Sequence, residues 1–144
     1  VHVTLIQSIM NLYEWKEDYS VDIKSIDHDH QGIFKIINDL FNAISHGKAK
    51  DTLAEFLAHL ADYTKTHFKR EEMYFLATNY PETLEHKLQH EFFIDKIDSL
   101  KKQFESGDKQ ISVELMQFLS EWLINHILIS DKKYMNHLKK FKVE

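Results

Sequence analysis

The sequence predicts an all-α protein, an up-down-up-down antiparallel four-helix bundle preceded by an N-terminal arm. Three glycines and one proline among 144 residues leave few interruptions, which favours long helices over short strands. Apolar residues recur at steps of three and four along four segments, which is the period of an amphipathic helix. The connections between these segments are only a few residues long, so neighbouring helices are expected to run antiparallel.

Sequence signals mark the ends of the four predicted helices. Gly47 is predicted to lie just past the C-terminus of the first helix, and Asp51 is predicted to be the N-cap of the second. Pro81 stands where proline is favoured at the start of the third helix, and Ser112 is predicted to cap the fourth. The third helix has the most regular stripe, formed by His86, His90, Phe93, Ile97, Leu100 and Phe104.

Residues 1–20 differ from the rest of the chain because they lack sustained helical periodicity. We predict that they form an N-terminal arm, which Leu12, Trp15 and Tyr19 attach to the body. Residues 21–144 are predicted to form the bundle as a single domain, and the total length suits one domain. Whether the chain is a full protein or a domain cut from a larger signalling protein stays open at this point.

Composition excludes several classes of function. The formal net charge of -5 provides no basic surface for nucleic acid. The absence of cysteine excludes disulfides, thiolate metal sites and cysteine nucleophiles. No apolar run is long enough to span a bilayer, and the first residues lack the pattern of a signal peptide. We therefore expect a cytoplasmic protein that binds neither nucleic acid nor membrane; its oligomeric state is left open.

Side chains able to bind a metal lie on or beside the apolar stripes of all four helices. They are His30, His67, Glu71, His86, His90, His126 and Asp131. Residues four apart share one face of a helix, so two of these side chains can point at one place. Imidazole and carboxylate together suit iron, zinc, copper or manganese. Five histidines and two carboxylates exceed the needs of one tetrahedral ion, so the sequence predicts a buried dinuclear metal site.

Ordinary core roles explain this set poorly. Each buried polar group left without a partner costs roughly 1–3 kcal/mol, and few other polar residues lie on the stripes to act as partners. Metal coordination would satisfy all seven groups at once. The remaining histidines are off these lines or near helix ends, and we expect them to be solvated: His2, His28, His46, His59 and His137.

The pair His126 and Asp131 has an unusual spacing. A step of five places two side chains about 140° apart on a regular α-helix. Either the two side chains approach the metals from opposite flanks, or the helix widens locally into a π-bulge, a feature frequent at functional sites. The sequence leaves both geometries open.

The spacing of the histidines and glutamates excludes two other classes of metalloprotein. A ferritin-like diiron enzyme uses Glu-x-x-His pairs, and no glutamate stands three residues before any of the histidines on the last three helices. A zinc protease requires a glutamate directly after the first histidine of a His-x-x-x-His motif. Lys87 occupies that position after His86.

Four sequence segments carry a family resemblance that extends from about Trp15 to the C-terminus. They are WKEDYSVDIKSIDHDH, HFKREEM, YPETLEHKLQHEFF and WLINHILISD. In the identity, spacing and order of the ligands, the chain resembles the hemerythrins, specifically the bacterial type. The resemblance implies two iron ions in an oxo- or hydroxo-bridged diiron centre.

The resemblance also implies how the ligands divide. One iron would be held by His86, His90 and His126, and the other by His30 and His67. Glu71 and Asp131 would bridge both ions. The second iron would then be five-coordinate and open to dioxygen. An apolar wall around the open position is matched by Phe68, Trp122, Leu123 and Ile127.

The function that the resemblance implies is reversible dioxygen binding, for storage, transport, delivery or sensing, and not catalysis. The alternatives are a diiron reductase of peroxide or nitric oxide, or an oxygen- or redox-sensing domain of a larger signalling protein. Two positions depart from the family pattern. Asp22 stands where glycine is common, and Asp29 stands where glutamine is frequent, directly before the first histidine.

Overall fold

The computed structural model describes residues 14–47, 49–107 and 111–144, which form helices and no strand. The first three helices are α1 (Lys24–Ser45), α2 (Ala49–Thr78) and α3 (Thr83–Glu105). The fourth is continuous in three parts, α4 (Ile111–Asn125), a π-helix (His126–Asp131) and α5 (Lys132–Lys140). Each helix packs against the next one along the chain. The predicted all-α four-helix bundle is confirmed.

Residues with positive φ end the first two helices. Gly47 has a φ of 72° and its N–H donates to the carbonyl of Ile44 at 3.1 Å, as predicted for a glycine after a helix. Asn79 has a φ of 53° after α2, and the N–H of Tyr80 donates to the carbonyl of Phe75 at 3.1 Å. These bonds satisfy carbonyls that the helix ends would otherwise leave unpaired.

Three predicted helix starts are displaced. α2 begins at Ala49 and α4 at Ile111, so Asp51 and Ser112 lie inside the first turn and are not N-caps. Their side chains are outside the described part of the chain. Pro81 lies in the turn before α3, whose N-cap is Glu82. Several neighbouring residues can act as a cap, so the sequence defines these boundaries only to within three residues.

The apolar interior consists of two clusters at different heights in the bundle. The larger cluster includes Ile33, Phe68, Phe93 and Ile127, and the smaller one surrounds Phe75. On α1, His30 lies between Ile26 of the smaller cluster and Ile33 of the larger one, and on α2 Glu71 lies between Phe68 of the larger cluster and Phe75 of the smaller one. The bundle therefore has a polar layer in its interior, with apolar packing above and below it.

The segment before α1 packs on the bundle through aromatic rings. The rings of Trp15 and Tyr19 lie 5.7 and 5.1 Å from the ring of Phe34 in α1, between centroids. Leu12 and the preceding part of the predicted arm are outside the described residues, so the arm as a unit stays a prediction. None of the described helices is long and apolar enough to cross a membrane.

Asp22 explains why its position favours glycine. Its φ is 58°, in the left-handed region that glycine enters without strain and that aspartate tolerates better than most residues. The carboxylate of Asp22 accepts a hydrogen bond from Nζ of Lys139 at 3.2 Å. This departure from the family pattern is therefore accommodated at the surface, away from the polar layer.

Candidate metal centre

All seven predicted ligands meet in the polar layer, and each helix of the bundle contributes at least one. None is more than 4% exposed: His30, His67, Glu71, His86, His90, His126 and Asp131. A set of charged and polar groups with this degree of burial is unusual unless the groups are paired or bind a metal.

Asp131 lies between the two groups of histidines. Its Oδ1 is 3.0 Å from Nε2 of His126 and 3.1 Å from Nε2 of His86. Its Oδ2 is 3.0 Å from Nε2 of His30, on the opposite side of the layer. The two oxygens of one carboxylate thus face different histidines, which is the arrangement that a bridging ligand requires.

Glu71 has a similar central position. Its Oε1 is 3.2 Å from Nε2 of His67 and 3.1 Å from Nε2 of His90. Its Oε2 is 3.8 Å from Nε2 of His86 and accepts a hydrogen bond from the hydroxyl of Tyr134. Glu71 therefore also contacts histidines from both sides of the layer.

The potential ligand atoms form two overlapping groups of four, within each of which all atoms lie within 4.8 Å of one another. One group is His30, His67, Glu71 and Asp131, and the other is Glu71, His86, His90 and His126. Glu71 belongs to both groups, and Oδ1 of Asp131 also borders the second. Two metal ions that share carboxylates would fit this arrangement.

The atoms that face the centre of the layer are close together, yet they do not pair with one another. Several have no hydrogen-bond partner: Nε2 of His30, His86, His90 and His126, Oε1 of Glu71, and both carboxylate oxygens of Asp131. Their separations are near hydrogen-bond length, but the directions are wrong because the atoms point into shared space. Each such group costs roughly 1–3 kcal/mol if it stays unpaired, so the donor set fits bound metal, and imidazole with carboxylate suits iron.

The π-helix resolves the spacing of His126 and Asp131. Residues 126–131 form one π turn between α4 and α5, in which the hydrogen bonds span five residues instead of four. A step of five therefore brings two side chains to the same face, and Nε2 of His126 lies 3.0 Å from Oδ1 of Asp131. Of the two predicted geometries, the structure has the π-bulge.

Three of the predicted ligand histidines are oriented by acceptors on neighbouring helices. The Nδ1–H groups donate to three side-chain oxygens: His67 to Oδ2 of Asp29 (3.0 Å), His90 to Oε2 of Glu72 (3.0 Å) and His126 to Oε1 of Gln89 (2.7 Å). Each bond places the proton on Nδ1 and directs the free Nε2 to the centre of the layer.

The sequence patterns did not predict the role of these acceptors or of Tyr134. A usable signal existed, because each of the three acceptors directly precedes or follows a ligand in the sequence: Asp29 precedes His30, Glu72 follows Glu71, and Gln89 precedes His90. Adjacent helical residues point about 100° apart. The neighbour of a ligand can therefore face a ligand on the next helix.

The electrostatics of the layer favour charged carboxylates and raise the pKa of two of its histidines, while burial lowers the pKa of His126. Burial acts to lower the pKa of His67, but the charge of Glu71 and the hydrogen bond to Asp29 outweigh it and raise that pKa to about 10. Burial likewise opposes protonation of His86, but the nearby carboxylates of Asp131 and Glu71 outweigh it and raise its pKa to about 9. The pKa values of both carboxyl groups are lowered by the histidines despite their burial.

Two of the four predicted wall residues stack on histidines of the layer. Phe68 stacks on the ring of His90 with 3.9 Å between centroids and an interplanar angle of 8°. Trp122 stacks on His126 at 4.4 Å and 11°. Leu123 and Ile127 are buried in the same apolar cluster. The stacking fixes two ligand rings in place, whereas a role around bound gas stays a proposal.

The other histidines lie outside this layer. Three are exposed as predicted: His28, His46 and His59. The expectation of a solvated side chain is wrong for His137, which is half-buried and has Nε2 3.0 Å from the carbonyl oxygen of Thr78. Packing of α5 against the end of α2 causes this contact. His2 lies outside the described residues.

Comparisons with known proteins agree with one another. The family model "Hemerythrin HHE cation binding domain" matches residues 21–138. The chain is 34% identical over 125 residues to bacteriohemerythrin of Pseudomonas aeruginosa, covering 87% of this chain and 80% of that one. It is 32% identical over 126 residues to myohemerythrin-1 of Phascolopsis gouldii, covering 88% and 94%. A crystal structure of wild-type hemerythrin matches with a TM-score of 0.80 and 28% identity, covering 87% of this chain and 96% of that one.

Proposed function

This chain belongs to the hemerythrin family, and from that membership we propose that it binds dioxygen reversibly at a non-heme diiron centre. The observation that carries the proposal is the pair of overlapping four-ligand groups, which share Glu71 and contain buried atoms without hydrogen-bond partners. A single metal would leave part of this set unsatisfied, whereas two would use all seven side chains.

We propose that the ligands divide unequally. His86, His90 and His126 would hold one iron, and His30 and His67 the other. Glu71 and Asp131 would bridge the two, since the oxygens of each lie near histidines on both sides. Three histidines against two leave the second iron with one protein ligand fewer, and that difference provides the position for dioxygen. The iron pair, when it is bound to the protein, would supply the electrons for binding dioxygen.

The protein side chains around the layer favour binding over turnover. Phe68, Trp122, Leu123 and Ile127 carry no carboxylic acid, hydroxyl or amine that could deliver a proton. Leu123 and Ile127 are buried and keep water away. The hydroxyl of Tyr134 is already committed to Oε2 of Glu71. A dry site without a free acid slows protonation and loss of a reduced oxygen ligand, so we propose that the protein is a binding protein and not an enzyme.

The biological use of the bound gas is a further proposal, with storage, transport, delivery and sensing as the options. A reductase of peroxide or nitric oxide would require sustained turnover with an added reductant. A sensor would change shape on ligation and act on an attached output domain. The cytoplasmic location predicted from the sequence remains a prediction.

Metal analysis combined with absorption spectra tests the proposal. We expect two irons per chain and a visible charge-transfer band that appears in air, disappears on deoxygenation and returns. His30→Ala should abolish the band, while His59→Ala, at an exposed histidine, should retain it. One zinc per chain without colour would refute dioxygen binding, and continuous consumption of peroxide or nitric oxide would favour the reductase.

A further inference from the structure

Asp29 accepts two hydrogen bonds on a single oxygen atom. Nδ1 of His67 donates to its Oδ2 at 3.0 Å, and Nε of Arg70 donates to the same Oδ2 at 2.7 Å. The carboxylate is 9% exposed, whereas the side chain of Arg70 is 41% exposed. A chain of contacts thus runs from a surface cation through a buried carboxylate to a ligand of the proposed centre.

The position of Arg70 follows from the geometry of α2. It lies three residues after His67, so both side chains emerge from one face of the helix, about one turn apart. Asp29 lies on α1, directly before His30. Where the family frequently has glutamine, this chain has a charged residue, and it also has a guanidinium within bonding distance of that charge.

His90, a proposed ligand of the other iron, has a different arrangement of groups behind it than His67 has. Glu72 accepts from Nδ1 of His90 through Oε2 at 3.0 Å, while the nearby Nζ of Lys87 is 3.9 Å from Oε1. Cation and imidazole therefore take different oxygens of Glu72. At Asp29 they share one oxygen, so the guanidinium competes directly with the imidazole for the same lone-pair density.

We propose that Arg70 is a positioning residue for His67, which acts through Asp29 to set how strongly that imidazole donates to its metal. A carboxylate behind a metal-bound imidazole increases the electron density on the ring and raises the basicity of the ligand. The guanidinium of Arg70 withdraws electron density from the shared oxygen of Asp29, so the carboxylate raises the basicity of His67 less. The inference rests on the proposed assignment of His67 as a ligand of the five-coordinate iron.

The proposal predicts opposite effects for the two partners. In Arg70→Gln, the charge of Asp29 acts on His67 alone, which favours the ferric state, so the midpoint potential should fall. Autoxidation should accelerate by roughly tenfold, taken from the lower end of the changes in metal affinity or activity that mutation of outer residues causes. Asp29→Asn keeps an acceptor without charge, so the potential should rise. In the double variant, loss of Arg70 should change little beyond Asp29→Asn alone.

The experiment measures midpoint potential by spectroelectrochemistry and autoxidation rate on the iron-loaded full chain. Lys69→Gln is the matched control, because it removes one positive charge from the exposed neighbouring position on α2. Ring-¹⁵N NMR of the zinc-loaded protein reports independently on the hydrogen bond of Nδ1 of His67, which Arg70→Gln should strengthen.

Two results would overturn the proposal. Equal shifts in Arg70→Gln and Lys69→Gln would show a general charge effect. A shift from Arg70→Gln that persists in the Asp29→Asn background would show that Arg70 does not act through Asp29. Failure of the proposed function is distinguishable from both, because the unmodified protein would then bind no iron pair or show no reversible band.

Discussion

Replacing Tyr134 by phenylalanine tests whether the carboxylate of Glu71, proposed to bridge the two irons, is held by a hydrogen bond from α5. The hydroxyl of Tyr134 donates to Oε2 of Glu71, and both side chains are completely buried. Burial, together with the charges of Asp131 and Glu71, raises the pKa of Tyr134 well above its ordinary value. The raised pKa favours the protonated phenol, which is the form that donates this hydrogen bond.

The expected cost follows from the burial of both partners. A hydrogen bond to a charged group contributes about 1.5–3 kcal/mol, and phenylalanine keeps the ring, so the packing around Phe75 and Tyr80 changes little. For a chain of this size each kcal/mol shifts the melting temperature by roughly 2–4 °C. Tyr134→Phe should therefore melt about 3–12 °C lower and lose iron faster to a chelator.

Tyr80→Phe provides the control. The hydroxyl of Tyr80 donates to Oε2 of Glu82 at 3.1 Å in a partly exposed turn. Glu82 is also charged, but it is exposed and screened by solvent, so we expect this bond to contribute less, about 0.5–1.5 kcal/mol. The assay is thermal and urea unfolding of both variants, with and without metal. The reasoning is refuted if Tyr134→Phe is no less stable than Tyr80→Phe.

Three further predictions concern the wall, the pH dependence and helix packing. Leu123→Ala should accelerate autoxidation, because it opens the apolar wall to water; an unchanged rate in stopped-flow spectra would count against gating. Because the pKa values of His67 and His86 are raised to about 10 and 9 in the metal-free protein, zinc binding at pH 7 should release about two protons, and calorimetry in buffers of different ionisation enthalpy should detect this. The stability that these raised pKa values contribute is complete below pH about 6.5 and is lost as pH rises through 9 to 10. Gly32→Ala would place Cβ 1.9 Å from the hydroxyl of Tyr63, so it should destabilise by about 1–2 kcal/mol in urea unfolding, and adding Tyr63→Ala should relieve the clash.

Much of the bundle could be predicted because helix periodicity is a local property. Apolar steps of three and four indicated the four helices, and glycine at position 47 indicated an end that the structure has. The predicted starts at Asp51 and Ser112 were wrong by three and two residues. An N-cap can be any of several adjacent residues that reach the free N–H groups of the first turn, and the sequence signal that distinguishes them is weak.

The candidate ligands could be predicted for the same local reason. A step of four within one helix places His67 beside Glu71 and His86 beside His90, whatever the rest of the chain does. For His126 and Asp131 the local rule left two geometries. Tertiary packing selects the π-helix. Asp131 contacts His30 of α1, and Tyr134, three residues later, donates a hydrogen bond to Glu71 of α2.

The sequence by itself therefore determined the helices, the family and the set of metal-competent side chains, because each depends on residue identity and spacing along one chain. Only the tertiary structure decided which oxygen faces which imidazole, and which groups stand behind the ligands. The bonds from His67 to Asp29 and from Tyr134 to Glu71 join residues 38 and 63 positions apart. Such contacts depend on the rotation and height of one helix against another, which the periodicity of a single helix does not specify.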